Sequence, residues 1–184
     1  YFHERSFNCE VLKAPARYSA RYLKSPQFLH QQMNQGRSDS KAPRQLAFAV
    51  PRGRTPLTDA FTTAEDAAFW IHNGIDEHGI VTAMRKNLDQ RRIAMGGSTI
   101  TMQTVKNLFL SHERTISRKL QEMFLAWHLE QTIGKRDIIQ LYLNVIEFGP
   151  NIFGITEASR HFFDKTPEEL NLKESAYLAS VLPS

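Results

Sequence analysis

The residues best suited to chemistry lie between Gly96 and Leu110. Thr99, Gln103, Lys106 and Asn107 recur at spacings of three and four, so they share one face of a predicted helix. Apolar residues cover much of the remaining circumference, which predicts a helix inside a domain, where an uncompensated lysine is costly. We therefore expect an anionic group beside Lys106.

The start of that helix is a second anion-binding feature. Gly96 and Gly97 precede Ser98, which is predicted to be the N-cap. Free backbone N–H groups at a helix start commonly bind anions. A lone Gly-Gly pair is a weak signal, and it gains weight only beside the lysine.

A pair of adjacent carboxylates, Glu65 and Asp66, is predicted to lie in the middle of an earlier helix among alanines and aromatic residues. One interpretation is an exposed acid, with His72 favouring the end of the helix through the helix dipole. The other is that Glu65 faces a cleft, where apolar neighbours remove water and make the carboxylate a stronger base. The residues alone leave both open.

Cations recur on the longest predicted helix, where Arg114, Arg118 and Glu122 follow at four-residue spacing and Lys119 flanks them. As an exposed salt-bridged stripe they would contribute only ~0.3–0.5 kcal/mol per pair. With Lys106 they would instead form a cationic cluster suited to a pyrophosphate. Apolar residues predicted over most of this helix favour the cluster: Leu120, Met123, Phe124, Leu125 and Trp127.

The composition indicates a folded domain but does not identify a binding partner. Of the 184 residues, 41% are hydrophobic and 23% charged, which is typical of a folded domain. The net charge of +4 suits nucleic acid, anionic lipid or phosphate-bearing substrates equally. Cys9 is the single cysteine and the histidines lack ligand spacing, so neither an internal disulfide nor a protein metal site is expected. Without a starting Met or signal peptide, the chain reads as a fragment of a longer protein.

The elements that must position these residues are helical, and the predicted fold class is mainly α. Residues 1–47 are predicted to be a connector or the end of a preceding domain, with one extended run at 45–50, and residues 89–97 to be a loop. The helices are predicted at Asp59–His72, Glu77–Leu88, from Ser98, Arg114–Ile133 (with Gly134 in the C′ position), Arg136–Val145, from about Gly154, and after the capping box Asn171–Glu174.

Together these segments resemble the peptidoglycan glycosyltransferase domain, glycosyltransferase family 51, which polymerises lipid II. Five of its motifs occur in order over residues 48–184, which is specific where any one motif would be weak. They begin at Glu65-Asp66, Gly97-Ser98, Arg118-Lys119, Ile139 and Gly154. The form of Asn144 to Gly149 is closer to the monofunctional biosynthetic members. Met102 stands where the family usually has a second glutamine.

The resemblance implies a two-lobed, lysozyme-like fold with a central cleft and a small amphipathic jaw, partly embedded in the membrane, within 77–96. It implies that Glu65 is the base that deprotonates the GlcNAc 4-hydroxyl of the acceptor. This oxygen attacks the donor with inversion and expels a polyprenyl pyrophosphate.

The resemblance also distributes the remaining roles. Glu122 would organise the cations or assist on the acceptor side. The pyrophosphate would be held by Lys106, Arg114, Arg118 and Lys119; the donor site would be lined by Ser98, Thr99, Gln103 and Asn107; and the first helix would be fixed by Asp66, Phe69 and His72.

No obligatory cofactor is implied, although Mg²⁺ or Mn²⁺ would suit the pyrophosphate. The implied partners are lipid II, polyprenyl-pyrophosphate-linked glycan, the membrane surface and cell-wall synthesis proteins, with no nucleic acid, at the outer face of the bacterial cytoplasmic membrane. Three alternatives remain open: a lysozyme-like hydrolase, whose chemistry gives the cations no anion to bind; a degenerate member that only binds lipid pyrophosphate; and a basic module for anionic lipid or nucleic acid.

Overall fold

The computed structural model describes residues 49–50, 54–89, 97–110 and 115–182. Within these ranges the chain is mainly helical, which confirms the predicted fold class. The elements are α1 (Pro56–Glu65), α2 (Glu77–Asp89), α3 (Ile100–Phe109), α4 (Ile116–Thr132), α5 (Lys135–Val145), β1 (Glu147–Gly149), β2 (Ile152–Phe153), α6 (Ile155–Phe163), a 3₁₀ turn (Pro167–Glu169) and α7 (Leu172–Ser180).

The core is built where α1 packs on α7 and where α3 packs on both α4 and α5. Phe61 lies at its centre and meets the ring edges of Tyr142 and Phe148, with centroids 6.3 and 5.9 Å away. All three side chains are buried. This packing fixes the ends of α1 and α3, where the candidate site lies.

Helix α2 stands apart from that core. Ala83 is its buried apolar residue among the side chains described, whereas Val81 and Leu88 are exposed. The helix meets the main body at Gly97, where a Cβ atom would lie 3.2 Å from the Cα of Ile80. A cleft lies between the start of α2 and the ends of α1 and α3 that face it, which agrees with the predicted lysozyme-like arrangement.

The first helix ends earlier than predicted, at Glu65 rather than at His72. Asp66 takes φ −160° and ψ 76°, which are not helical angles. It does so because its carboxylate accepts hydrogen bonds from the backbone N–H of Ile100 and from His72, 2.9 Å each. The carboxylate pair thus lies at a helix end and not in mid-helix.

Two further boundaries differ from the prediction. Thr99, and not Ser98, caps α3, since its Oγ1 accepts the backbone N–H of Met102 at 3.1 Å. Gly134 is the N-cap of α5 with φ −76°, so it is not a left-handed C′ residue. Helix α4 closes in extended backbone at Ile133, and a left-handed glycine is not needed there.

The later helices follow the sequence signals. Helices α2 and α5 agree with prediction to within one residue, and α6 begins after Gly154. The capping box before α7 is present: Asn171 Oδ1 accepts the N–H of Glu174 at 3.0 Å, and Glu174 Oε2 accepts that of Asn171 at 2.9 Å. The antiparallel hairpin β1–β2 was not predicted, although Gly149-Pro150-Asn151 is a turn sequence.

The longest helix, α4, buries only part of its apolar surface. Leu125, Ala126 and Leu129 are buried, but the exposed fractions of Leu120, Phe124 and Trp127 are 55, 48 and 48%. The residues that make α4 apolar over most of its circumference are therefore not all buried; one face packs and another is open. None of the helices in the described ranges has the length and apolar content to cross a bilayer.

The remaining predictions for local structure lie largely outside the described residues. These are the connector 1–47 with its boundary at residue 48, most of the extended run 45–50, and residues 90–96 of the loop. At Val50, the backbone N–H is 3.3 Å from Oε1 of Gln140, and its carbonyl accepts from Arg136 at 3.0 Å. This end of the run is thus attached to α5.

Candidate active site

Glu65 ends α1 on the wall of the cleft and is half-buried. The cavity around it has a volume of about 270 Å³, at the small end for ligand pockets. It is lined by Thr63, Ala64, Glu65, Asp66, Ala67, Asp76, Gly79, Gly97, Ser98 and Thr99. The ends or starts of α1, α2 and α3 thus meet at one carboxylate.

Gln103 holds that carboxylate. Its Nε2 donates to Oε2 of Glu65 at 2.8 Å. Within the described part of the chain, Oε1 of Glu65 takes no such bond. One oxygen is therefore anchored while the other remains for a reacting proton. Gln103 was predicted to line the donor site; its amide holds Glu65 in the structure, and a role in donor binding stays a prediction.

Asp66 forms a pair with His72 behind the cleft, and both side chains are buried. Nε2 of His72 lies 3.0 and 2.9 Å from the two carboxylate oxygens. The backbone N–H of Gly74 donates to Nδ1 at 3.1 Å. Nδ1 thus carries no proton, and the imidazole donates from Nε2 to Asp66. His72 braces the segment after α1 through this pair and not through a helix dipole.

Lys135 connects the Asp66–His72 pair to α4 and α5. Its ammonium lies 2.7 Å from Glu130, 3.4 Å from Nδ1 of His72 and 4.6 Å from the centre of the Phe69 ring. Thr101 donates to the same Glu130 oxygen at 2.6 Å. Phe69 is fully buried, as a residue that fixes this segment should be. These contacts join the segment that follows Glu65 to helices α3, α4 and α5.

The start of α3 forms the opposite wall. Thr99 is buried, and its hydroxyl donates to the carbonyl of Gly74 at 2.6 Å while capping the helix. Its side chain is engaged in the fold, so it lines the cleft without a free hydroxyl. Ser98 lines the cleft as well, and its Oγ accepts from Nζ of Lys119 at 2.8 Å.

That contact brings the cations of α4 to the cleft. Glu122 is 1% exposed and receives Nη1 of Arg118 at 2.6 Å and Nζ of Lys119 at 2.5 Å. Such burial excludes the exposed-stripe interpretation of this segment. Glu122 organises the cations, which was the first of its two predicted roles.

The cluster retains donors for a further anion. Nε of Arg118 is buried and has no hydrogen-bond partner in the described residues. An ammonium has three N–H donors, and Lys119 uses two of them on Ser98 and Glu122. A phosphate oxygen that contacts Lys119 would satisfy the donor that its bonds to Ser98 and Glu122 leave over.

The other predicted cation-site residues are placed less completely. Lys106 and Asn107 are half-buried on α3, three and four residues beyond Gln103 and thus on its side of the helix. Arg114 lies outside the described residues. The structure therefore joins Ser98, Arg118, Lys119 and Glu122, whereas a role for Lys106, Asn107 and Arg114 in binding the pyrophosphate stays a prediction.

Several residues of the site had not been singled out for it. Asp76 caps α2 through the N–H of Gly79 at 2.9 Å and also lines the cleft. Its place before a helical run is an N-cap signal that could have found it. Thr101, Glu130 and Lys135 carry no local signal, because they are brought together only by the packing of α3, α4 and α5.

Comparison with known proteins adds independent support at this point. A family model described as Transglycosylase matches residues 14–184. The chain belongs to this family. The family predicted from the five motifs is therefore confirmed.

Two of the similar proteins share one name, and a third carries a different one. A biosynthetic peptidoglycan transglycosylase of Nitrosomonas eutropha is 48% identical over 126 residues, covering 68% of this chain and 52% of that protein. One of Methylobacillus flagellatus is 46% identical over 128 residues, 70% and 56% respectively. Penicillin-binding protein 1A of Aquifex aeolicus is 46% identical over 139 residues, 74% of this chain and 19% of its own length. The chain spans about half the length of the biosynthetic transglycosylases that it matches.

Proposed function

We propose that this transglycosylase-family chain polymerises lipid II into glycan strands. The observation that carries the proposal is that an anchored carboxylate lines the cleft, while a cation cluster organised by a buried glutamate joins the same cleft where Lys119 donates to Ser98. Glu65 supplies the first, and Arg118 with Lys119 on Glu122 supplies the second. Single displacement of a pyrophosphate needs these two parts and no more.

The reaction is one transfer. Oε1 of Glu65 takes the proton of the acceptor GlcNAc 4-hydroxyl, and that oxygen bonds to the anomeric carbon of the donor MurNAc from the face opposite the leaving group. The bond from that carbon to the pyrophosphate oxygen breaks, which inverts the configuration. The pyrophosphate leaves as an anion and needs no acid to protonate it.

The cations stabilise the charge that develops on the leaving group. Arg118 and Lys119 are fixed by Glu122 before substrate arrives, so little reorganisation is needed at the moment of reaction. The loss of one such donor in other enzymes costs about 10²–10³ in kcat. Lys106, on the Gln103 side of α3, is proposed to bind the same pyrophosphate.

The alternatives fit the site less well. A hydrolase of the glycan expels an alcohol and needs a protonated acid, and it has no use for the cations Arg118 and Lys119. A nucleic-acid module needs its basic residues in solvent, whereas the exposed fraction of the Arg118 side chain is only 16%. A degenerate binder would not need Glu65 to be anchored by one oxygen only.

The setting follows from the substrate. Lipid II carries a polyprenyl chain, so we propose that the chain acts at the outer face of the bacterial cytoplasmic membrane, with α2 as the jaw that meets the lipid. Among the described residues no cluster of three His, Cys, Asp or Glu is placed to hold a metal ion. A Mg²⁺ or Mn²⁺ ion, where used, is proposed to arrive on the pyrophosphate. Association with other cell-wall synthesis proteins stays a prediction.

The test is polymerisation of lipid II by the chain in detergent with Mg²⁺, with products resolved by gel. Glu65→Gln is expected to abolish glycan formation, and Glu168→Gln, on the exposed 3₁₀ turn, is expected to leave it unchanged. Binding of a pyrophosphate-linked donor analogue is measured in parallel and should survive Glu65→Gln. Release of sugar fragments from intact sacculi without lipid-linked substrate would instead identify a hydrolase.

A further inference from the structure

The hydroxyl of Tyr142 is a buried polar group that the proposed reaction leaves without a task. Tyr142 lies on α5, is fully buried and meets Phe61 edge to face. A phenylalanine would fill the same hydrocarbon space without having to bury a hydroxyl. The hydroxyl therefore calls for a reason beyond packing.

The hydroxyl lies on Gln103, the residue that holds the base. It donates to Oε1 of Gln103 across 3.5 Å, a long hydrogen bond. Burial, and then the charges of Glu65 and Asp66, raise the pKa of Tyr142 well above its usual value. The phenol thus keeps its proton at working pH and acts as a donor.

Because the side-chain amide of Gln103 is planar, this contact also determines which way its NH₂ group faces. When the oxygen of Gln103 faces Tyr142, its NH₂ group must face the other way, and there it donates to Oε2 of Glu65 at 2.8 Å. The reverse orientation would set an amide oxygen against a carboxylate oxygen. Tyr142 and Glu65 therefore select the same orientation from opposite sides.

We propose that Tyr142 is a positioning residue for the general base, acting through Gln103. By fixing the amide, it keeps Oε2 of Glu65 anchored and directs Oε1 toward the acceptor hydroxyl. This proposal rests on the proposed function for its kinetic effect, but the orientation of the amide is independent of any activity.

The kinetic test uses Tyr142→Phe, Gln103→Ala and the double variant, with Tyr177→Phe as the control because that tyrosine is about half-exposed on α7. Tyr142→Phe is expected to lower kcat about two- to fivefold, the lower part of the range for losing one hydrogen bond because this bond is long, with KM within about twofold. Tyr177→Phe should leave both unchanged. Since Tyr142 acts through Gln103, the double variant should be no slower than Gln103→Ala alone.

A second measurement keeps the test independent of catalysis. In ¹⁵N NMR spectra the side-chain NH₂ of Gln103, assigned by its loss in Gln103→Ala, should exchange with solvent several-fold faster in Tyr142→Phe than in the parent. An unchanged exchange rate, or kinetic losses that multiply in the double variant, would overturn the proposal. Absence of polymerisation by the parent with normal NMR behaviour would reject the proposed function and leave the orientation of Gln103 standing.

Discussion

Oδ2 of Asp66 accepts the backbone N–H of Ile100 at 2.9 Å, so the carboxylate next to the proposed base fastens the first turn of α3. The same oxygen accepts from His72 at 2.9 Å. One side chain thereby sets the separation between Glu65 and the wall formed by Ser98 and Thr99. The width of the cleft is fixed by an acid that itself does no chemistry.

This relationship predicts the effect of Asp66→Asn. The asparagine oxygen can still accept from Ile100, but its NH₂ would then oppose the N–H of His72, whose other nitrogen is already held by Gly74. We expect the free energy of unfolding to fall by about 1–3 kcal/mol and kcat to fall with it. Urea unfolding and polymerisation rates check this.

Asp59, on α1 itself, offers a matched control. Its carboxylate is 39% exposed and pairs with Arg54 at 2.7 Å. Asp59→Asn should change the free energy of unfolding by less than about 1 kcal/mol, because exposed pairs contribute little. Equal effects of Asp59→Asn and Asp66→Asn would contradict a special role for the buried acid.

The cation cluster predicts a strong effect of Glu122→Gln. Removing the buried charge leaves Arg118 and Lys119 facing one another without compensation. We expect a loss of about 3–5 kcal/mol in the free energy of unfolding, as for other broken buried pairs. Urea titrations measure this.

Added inorganic pyrophosphate should restore part of that stability, because it supplies the missing negative charge at the same donors. Glu147→Gln, exposed on β1, serves as the control and should show neither effect. Equal stabilisation of parent and Glu122→Gln by pyrophosphate would place its binding elsewhere.

Alkaline pH tests the burial of Tyr142. Its folded-state pKa is raised above the ordinary value of about 10, first by burial and then by Glu65 and Asp66. The contribution of the protonated, buried phenol to the free energy of unfolding is fully present below pH 10. Above it the unfolded chain loses the phenol proton while the folded chain keeps it, so stability falls as pH rises, by up to about 1.4 kcal/mol per pH unit.

Tyr142→Phe removes the phenol and with it this pH-dependent loss of stability. Its free energy of unfolding should decline less than that of the parent between about pH 10 and 11. Tyr177→Phe should follow the parent curve. Parallel curves for Tyr142→Phe and the parent would show that the phenol is not protected in the folded chain.

The sequence predicted those parts of the fold and site that depend on local signals. The capping box at Asn171 and the apolar periodicity of α5 were sufficient for these helices, and the ordered motifs singled out Glu65 and Glu122, whose catalytic roles stay predictions. The end of α1 was not predictable, because Asp66 leaves the helix to bond Ile100, thirty-four residues away. Lys135 and Tyr142 join the site only through helix packing, which periodicity cannot register.

Gly74 lies in the segment that carries His72, and its backbone conformation and close packing should not tolerate a side chain. Its φ is +89°, and a Cβ there would lie 2.8 Å from the carbonyl oxygen of Ala126. Gly74→Ala introduces both backbone strain and a clash with the backbone of α4, so we expect the free energy of unfolding to fall by at least about 2 kcal/mol.

Gly134→Ala is the control, since the φ of Gly134 is −76° and a Cβ there would meet nothing within 4 Å. That change should stay within about 0.5 kcal/mol, a small loss at the N-cap offset by the lower entropy of the unfolded chain. Thermal unfolding of both variants measures the difference, and a Gly74→Ala protein as stable as Gly134→Ala would mean that the segment bearing His72 is not pressed against α4.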